Sequence, residues 1–115
     1  MPLSPLQLQE CLSAVGAFIE KRRPPAAIRD QLDFRADISG AEVTIVEVRP
    51  RFDDKKQKIE HPVARAKWVA TPKKWRLYWM RADMKWHSYQ PLPEAATLVV
   101  ILSEVHRDPH CCFFG

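Results

Sequence analysis

Glycine is scarce in this 115-residue chain, with three in all, and no glycine-rich loop able to cradle a nucleotide phosphate is present. Cysteine is equally rare: Cys11, Cys111 and Cys112 are an odd number. Two of them are adjacent, where a disulfide would be strained, so a reducing, cytoplasmic location is expected. Long apolar runs are missing too. The longest, Leu98 to Leu102, is far too short to cross a bilayer, so no membrane association is expected. The opening Met1-Pro2-Leu3-Ser4-Pro5 lacks the basic-then-apolar order of a signal peptide. Cys112-Phe113-Phe114-Gly115 has the spacing of a prenylation box, but its two aromatics and terminal glycine suit that motif poorly, and a buried Cys-Phe-Phe tail is expected instead. Internal repeats, low-complexity segments and complete metal-ligand sets are also lacking.

What is present fits one compact domain over residues 1–115: 46% of residues are apolar and 28% charged, enough to bury a single core without staples. Eighteen Lys and Arg against 14 Asp and Glu give a net charge of +4. That excess permits an anionic partner without requiring one.

All four tryptophans, Trp68, Trp75, Trp79 and Trp86, fall in one stretch interleaved with Lys67, Lys73, Lys74, Arg76, Arg81 and Lys85. Such alternation marks an antiparallel sheet with one dry face and one wet face. Around it, Ser4-Pro5-Leu6-Gln7 predicts a capped helix start, and Leu8, Cys11, Leu12, Val15, Phe18 and Ile19 continue as an apolar stripe to about Lys21, before Pro24-Pro25. After a short turn through Ala26 to Asp30, Leu32 to Ile38 alternates as a strand, Ser39-Gly40 turns, and Val43 to Val48 is apolar on both sides, as a central strand would be.

Pro50 is expected to end the ladder before a charged loop, Asp53 to Lys58. In a third strand, Glu60 to Thr71, Ala64, Ala66, Trp68 and Ala70 are placed opposite Val63, Arg65, Lys67 and Val69. Pro72-Lys73 turns into a fourth strand with Trp75, Leu77 and Trp79 inward, and the alanines make room for the indoles. Ala82-Asp83-Met84 leads to a fifth strand, Lys85 to Tyr89, and then a second helix over about Glu94 to His106, with Val100 and Ile101 widening its stripe toward full burial.

The predicted fold is therefore α+β: a five-stranded antiparallel meander flanked by an N-terminal and a C-terminal helix, both packed on one face. Arg65, Lys67, Lys74, Arg76 and Tyr78 are expected on the other face, with Arg49, Arg51, His87 and Tyr89 as further candidates.

Arg49-Pro50-Arg51-Phe52, the run Trp75-Arg76-Leu77-Tyr78-Trp79 continuing through Arg81-Ala82-Asp83, Lys85-Trp86-His87 and Tyr89, and the closing Cys112-Phe113-Phe114-Gly115 resemble the bacterial domain-of-unknown-function family numbered 3024. The resemblance covers the chain from Pro24 to its end. It implies a bacterial origin and a single domain, and adds no catalytic residue. The chain departs from the family pattern at His110 and Cys111.

Four constellations carry candidate chemistry. His106, His110, Cys111 and Cys112 are soft ligands, but a structural zinc site usually pairs ligands at two separated points; unliganded side chains are expected, with no metal and no cofactor. Cys112 assisted by His87 or His106 would be a thiol nucleophile, yet a cysteine before two phenylalanines is expected to be buried as a small apolar residue. Arg81, Asp83, Lys85 and His87 gather acid, base and cation around one hairpin, where Asp83 more ordinarily holds the turn. Arg49 and Arg51 are spaced to grip a carboxylate or phosphate, or to form surface pairs.

The function expected from these residues is binding rather than catalysis. Arg49, Arg51, Arg65, Lys67, Arg76 and Tyr78 would present a basic sheet face to an anionic partner such as nucleic acid, although Glu42, Glu47 and Glu60 stand ready to neutralise it. The alternatives are a small-substrate enzyme using Asp83, His87 and Cys112, and a homodimer formed through the sheet's open edge or aromatic surface.

Overall fold

A computed structural model describes residues 3–114 except 30, 52, 55 and 72. The expectations for Asp30, Phe52, Lys55, Pro72 and Gly115 lie outside the described residues.

Helix α1 spans Pro5–Arg22 and begins with the capping box the sequence announces: the Ser4 hydroxyl accepts from the Gln7 amide at 3.2 Å, and the Gln7 side chain accepts from the Ser4 amide at 3.0 Å. Cys11, Val15 and Phe18 form its buried face, whereas Leu8 and Leu12 stay exposed. A short 3-10 turn, Ala26–Ile28, follows the double proline.

The sheet then runs β1 (Asp33–Ser39), β2 (Glu42–Pro50), β3 (Lys58–Val69), β4 (Lys74–Met80) and β5 (Trp86–Ser88), paired in that order and antiparallel throughout. Gly40 turns the first hairpin at φ 58°, a left-handed conformation that favours glycine. A further strand of two residues, β6 (Glu94–Ala95), pairs with β4. Helix α2 occupies Leu98–Arg107, capped by the Thr97 side chain.

Register assigns the faces. Val43, Ala66 and Leu77 stand side by side across β2, β3 and β4, as do Ile45, Ala64 and Trp79. Both helices cover this side, and all these residues except the half-buried Trp79 are at most 3% exposed. Of the two indoles on β4, Trp79 faces Ala64, whereas Trp75, 6% exposed, faces Trp68 and not an alanine. The helices lie side by side and parallel, since Arg22 at the end of α1 donates to the His106 carbonyl near the end of α2 at 3.2 Å.

Four details differ from the sequence-based expectation. Pairing jumps between Ile45 and Val46, opposite Ala64 and Pro62, so Val63 is an extra residue on β3 and is buried in the core instead of sharing the outer face of Arg65. The second helix starts at Leu98, not Glu94, because Glu94 and Ala95 are extended beside Arg76 and Trp75. Val99 and Val100 are 60% and 48% exposed, so α2 is amphipathic and not buried all round. Finally, β5 is turned over. Met80 faces Trp86 and Trp79 faces His87, which puts His87 and the fully buried Tyr89 on the helix side and Trp86 on the open side.

Leu77→Ala should cost about 2–5 kcal/mol in urea unfolding, whereas Lys67→Ala, one strand away on the wet face, should stay within about 0.5 kcal/mol. Equal costs would mean that the faces are assigned the wrong way round.

Candidate binding face and the polar cluster behind it

Across the open face, register builds a row of four charges: Glu42 on β2 faces Lys67 on β3, which faces Arg76 on β4, which faces Glu94 on β6. Two like charges directly opposite each other destabilise a sheet, so Lys67 and Arg76 depend on the carboxylates that flank them. Each carboxylate is shared. Glu42 accepts from Arg65 at 2.7 Å and lies 4.0 Å from Lys67, while Glu94 lies 3.5 Å from Lys74 and 3.9 Å from Arg76. Two acids therefore serve four cations, and the contacts of Lys67 and Arg76 are too long for hydrogen bonds.

The next row places Tyr78 directly beside Arg65, with Ser88 beyond it. The Arg65 guanidinium also sits 5.5 Å from the centre of the Trp86 ring, within cation–π range. Tyr78 and Trp86 are both half-buried. The reversal of β5 thus brings to this face an aromatic that sequence reasoning did not place there. The available signal was the length of the Arg81 to Lys85 turn, which sets the pairing of the short strand after it.

The structure does not bring all six expected residues together. Arg49 follows Val43, Ile45 and Glu47 on the helix side of β2 and is hydrogen-bonded to Glu47. It pairs with Ile59, roughly 20 Å along β3 from Arg65. Arg51 lies past the strand end, where Asp53 receives two of its N–H groups at 2.9 and 2.8 Å and Gln57 a third at 3.1 Å. Of the three glutamates expected to neutralise neighbouring arginines, Glu42 pairs with Arg65, Glu47 with Arg49, and Glu60 joins Asp37 around Arg35. The open face is consequently polarised, acid-rich towards β1 and cation-rich over β3 and β4.

At the β4–β5 hairpin, Asp83 lies 2.8 Å from His87 and accepts the Lys85 amide at 3.0 Å. The His87 contact, and then the Lys85 amide, hold the Asp83 carboxyl below the usual carboxylate range. These bonds are those of a residue closing a turn, and Met84 adopts the left-handed φ of 62° that the turn requires. Cys112 has no hydrogen bond or ion pair with either among the described residues. Its thiol approaches the His110 carbonyl at 3.7 Å, and burial, then the charges of Asp108 and Cys111, push its pKa up, against a thiolate nucleophile. No group of three or more metal-binding side chains comes together among the described residues.

Behind the sheet lies a polar cluster that sequence reasoning missed. The Tyr89 hydroxyl donates to Glu104 at 2.8 Å, and Arg107 donates to its other oxygen at 2.6 Å. Glu104 is only 8% exposed because it falls between Ile101 and Val105 on the inner stripe of α2. Burial and then the neighbouring carboxylate push the Tyr89 hydroxyl well up, so it stays a proton donor. For Glu104, burial acts upward, but the bonds from Tyr89 and Arg107 outweigh it and the net displacement is downward. Nearby, Asp108 accepts the amides of Phe113 and Phe114 at 3.1 and 2.9 Å and ties the tail against the core. Phe113 then stacks 4.9 Å from Tyr89, and Phe114 lies beneath the Arg22 guanidinium at 3.7 Å.

A family model described as Domain of unknown function (DUF3024) matches residues 3–115, and the chain belongs to that family. The match extends the resemblance from Pro24 back through α1. No curated protein and no solved structure matches the chain.

Because the folded Glu104 carboxyl lies below its unfolded value, its contribution to stability is complete above the ordinary glutamate range and is lost as pH falls through the depressed folded value. Tyr89→Phe should cost about 1.5–3 kcal/mol at neutral pH and reduce the loss of stability on acidification. Denaturant unfolding of both proteins over an acid-to-neutral series checks this, and parallel curves would remove the proposed role of the bond.

Proposed function

We propose that this protein is a small binding module whose open sheet face takes an anionic partner, and that the partner is single-stranded nucleic acid. The observation that carries this reading is the sharing of Glu42 and Glu94 among Arg65, Lys67, Lys74 and Arg76. Four positive charges against two negative leave a cationic strip on the side that neither helix covers.

Charge alone would attract any polyanion, but Tyr78 and Trp86 add aromatic surface to the same strip. A flat sheet face with cations at backbone height and rings between them suits unstacked bases, which duplexes do not offer. Arg65 contributes twice, because Glu42 and the Trp86 ring together hold its guanidinium in place. Arg49, on the helix side and paired with Glu47, and Arg51, past the strand end and paired with Asp53, stand outside this strip. The three free thiols, Cys11, Cys111 and Cys112, support a cytoplasmic setting, and we read the source as bacterial.

Fluorescence anisotropy with labelled single-stranded oligonucleotides at low salt tests the proposal. Binding should weaken as salt rises, with a slope near −0.7 per phosphate contacted. Arg76→Ala should reduce that slope by about one contact, while Trp86→Ala should cost about 1–3 kcal/mol of affinity with the slope preserved. Failure to bind at low salt, or tighter binding to duplex than to single strand, would defeat the reading.

A further inference from the structure

On the opposite side of the molecule, α1 between Leu6 and Ala17 does not close fully against the start of α2. They leave a groove of about 830 Å³, within the roughly 300–1,000 Å³ of small-molecule sites. Ala14 and Ala17 of α1, both small, line it on that side. Trp68 and Trp75, facing each other across β3 and β4 with ring centres 5.6 Å apart, line the sheet side of the groove. Leu6 and Val99 flank it from the two helices and are 66% and 60% exposed.

Among the side chains that line this groove, Glu10 alone carries a charge. It has no hydrogen bond or ion pair among the described residues. Glu10 is exposed at the rim of this apolar, indole-lined groove, so its carboxylate is open to an incoming cation. An indole ring attracts a cation through its quadrupole, and a carboxylate attracts the same charge. The first turns of both helices point at this end and would favour an anion, but the Ser4 and Thr97 side chains already occupy the Gln7 and Val100 amides, and Glu10 repels negative charge.

We infer that this groove binds a small organic cation, an amine or quaternary ammonium with an apolar body, its charge held between Trp68 and Glu10. The site is independent of the sheet face proposed above. It lies on the other side of the sheet and shares no residue with the cationic strip.

Tryptophan fluorescence titration of the full chain tests it, with benzyltrimethylammonium, its neutral carbon isostere and phenylacetate as probes. The cation should bind at least about fivefold tighter than the isostere, and phenylacetate weakest of the three. Glu10→Gln, at an exposed position that does not threaten folding, should weaken the cation about threefold and leave the isostere unchanged. Arg76→Ala should leave all three affinities unchanged, which separates this site from the sheet face. Equal binding of cation and isostere, preference for phenylacetate, insensitivity to Glu10→Gln, or no binding of any probe at millimolar concentration would overturn the inference.

Discussion

The alternation of large apolar and charged residues along β3 and β4 is the constraint on which the rest of this structure depends. Side chains on a strand point alternately to opposite faces, so once Leu77 and Trp75 are drawn under the helices, Arg76 and Tyr78 have no choice of side. A slip of one residue in β4 would bury Lys74 and Arg76 and expose Trp75 and Trp79, and one in β3 would bury Arg65 and Lys67 and expose Trp68. That outcome costs far more than any single contact, because buried charge must be paired and desolvated. Ala64 and Ala66 complete the arrangement by facing the larger Trp79 and Leu77 across the β3–β4 pair.

Commitment of one face to the core creates the problem solved on the other. Lys67 and Arg76 are brought into direct opposition by the same pairing that aligns Ala66 with Leu77. The sheet accommodates them by extending the row at both ends with a carboxylate, Glu42 from β2 and Glu94 from the two-residue β6. That short strand therefore has an electrostatic consequence out of proportion to its length. The neutralisation is partial: two carboxylates are shared among four cations.

Much of the fold could be read along the chain because the relevant signals are local. The capping box at Ser4 and Gln7, the glycine at the first hairpin and the apolar central strand each depend on a few neighbouring residues, and each formed as expected. The errors share a different character. Val63 changes face because a bulge in β3 answers to the path of β2, and β5 turns over because its register is inherited from β4 through a turn. Tyr89 and Glu104 are fifteen positions apart and meet only because α2 packs back onto β3, β4 and β6. Arg65, Lys67, Arg76 and Tyr78 therefore stand together on the open face with Trp86, while Arg49 and Arg51 lie apart from them.

By itself, the amino-acid sequence determined the class of fold, the order of its main elements and which residues of β4 face the core, since periodicity and turn chemistry act over a few residues. Only the tertiary structure decided which acid neutralises which base, which way the fifth strand faces and where the helices leave a gap. Those outcomes depend on distances between segments far apart in the chain, and only packing sets such distances.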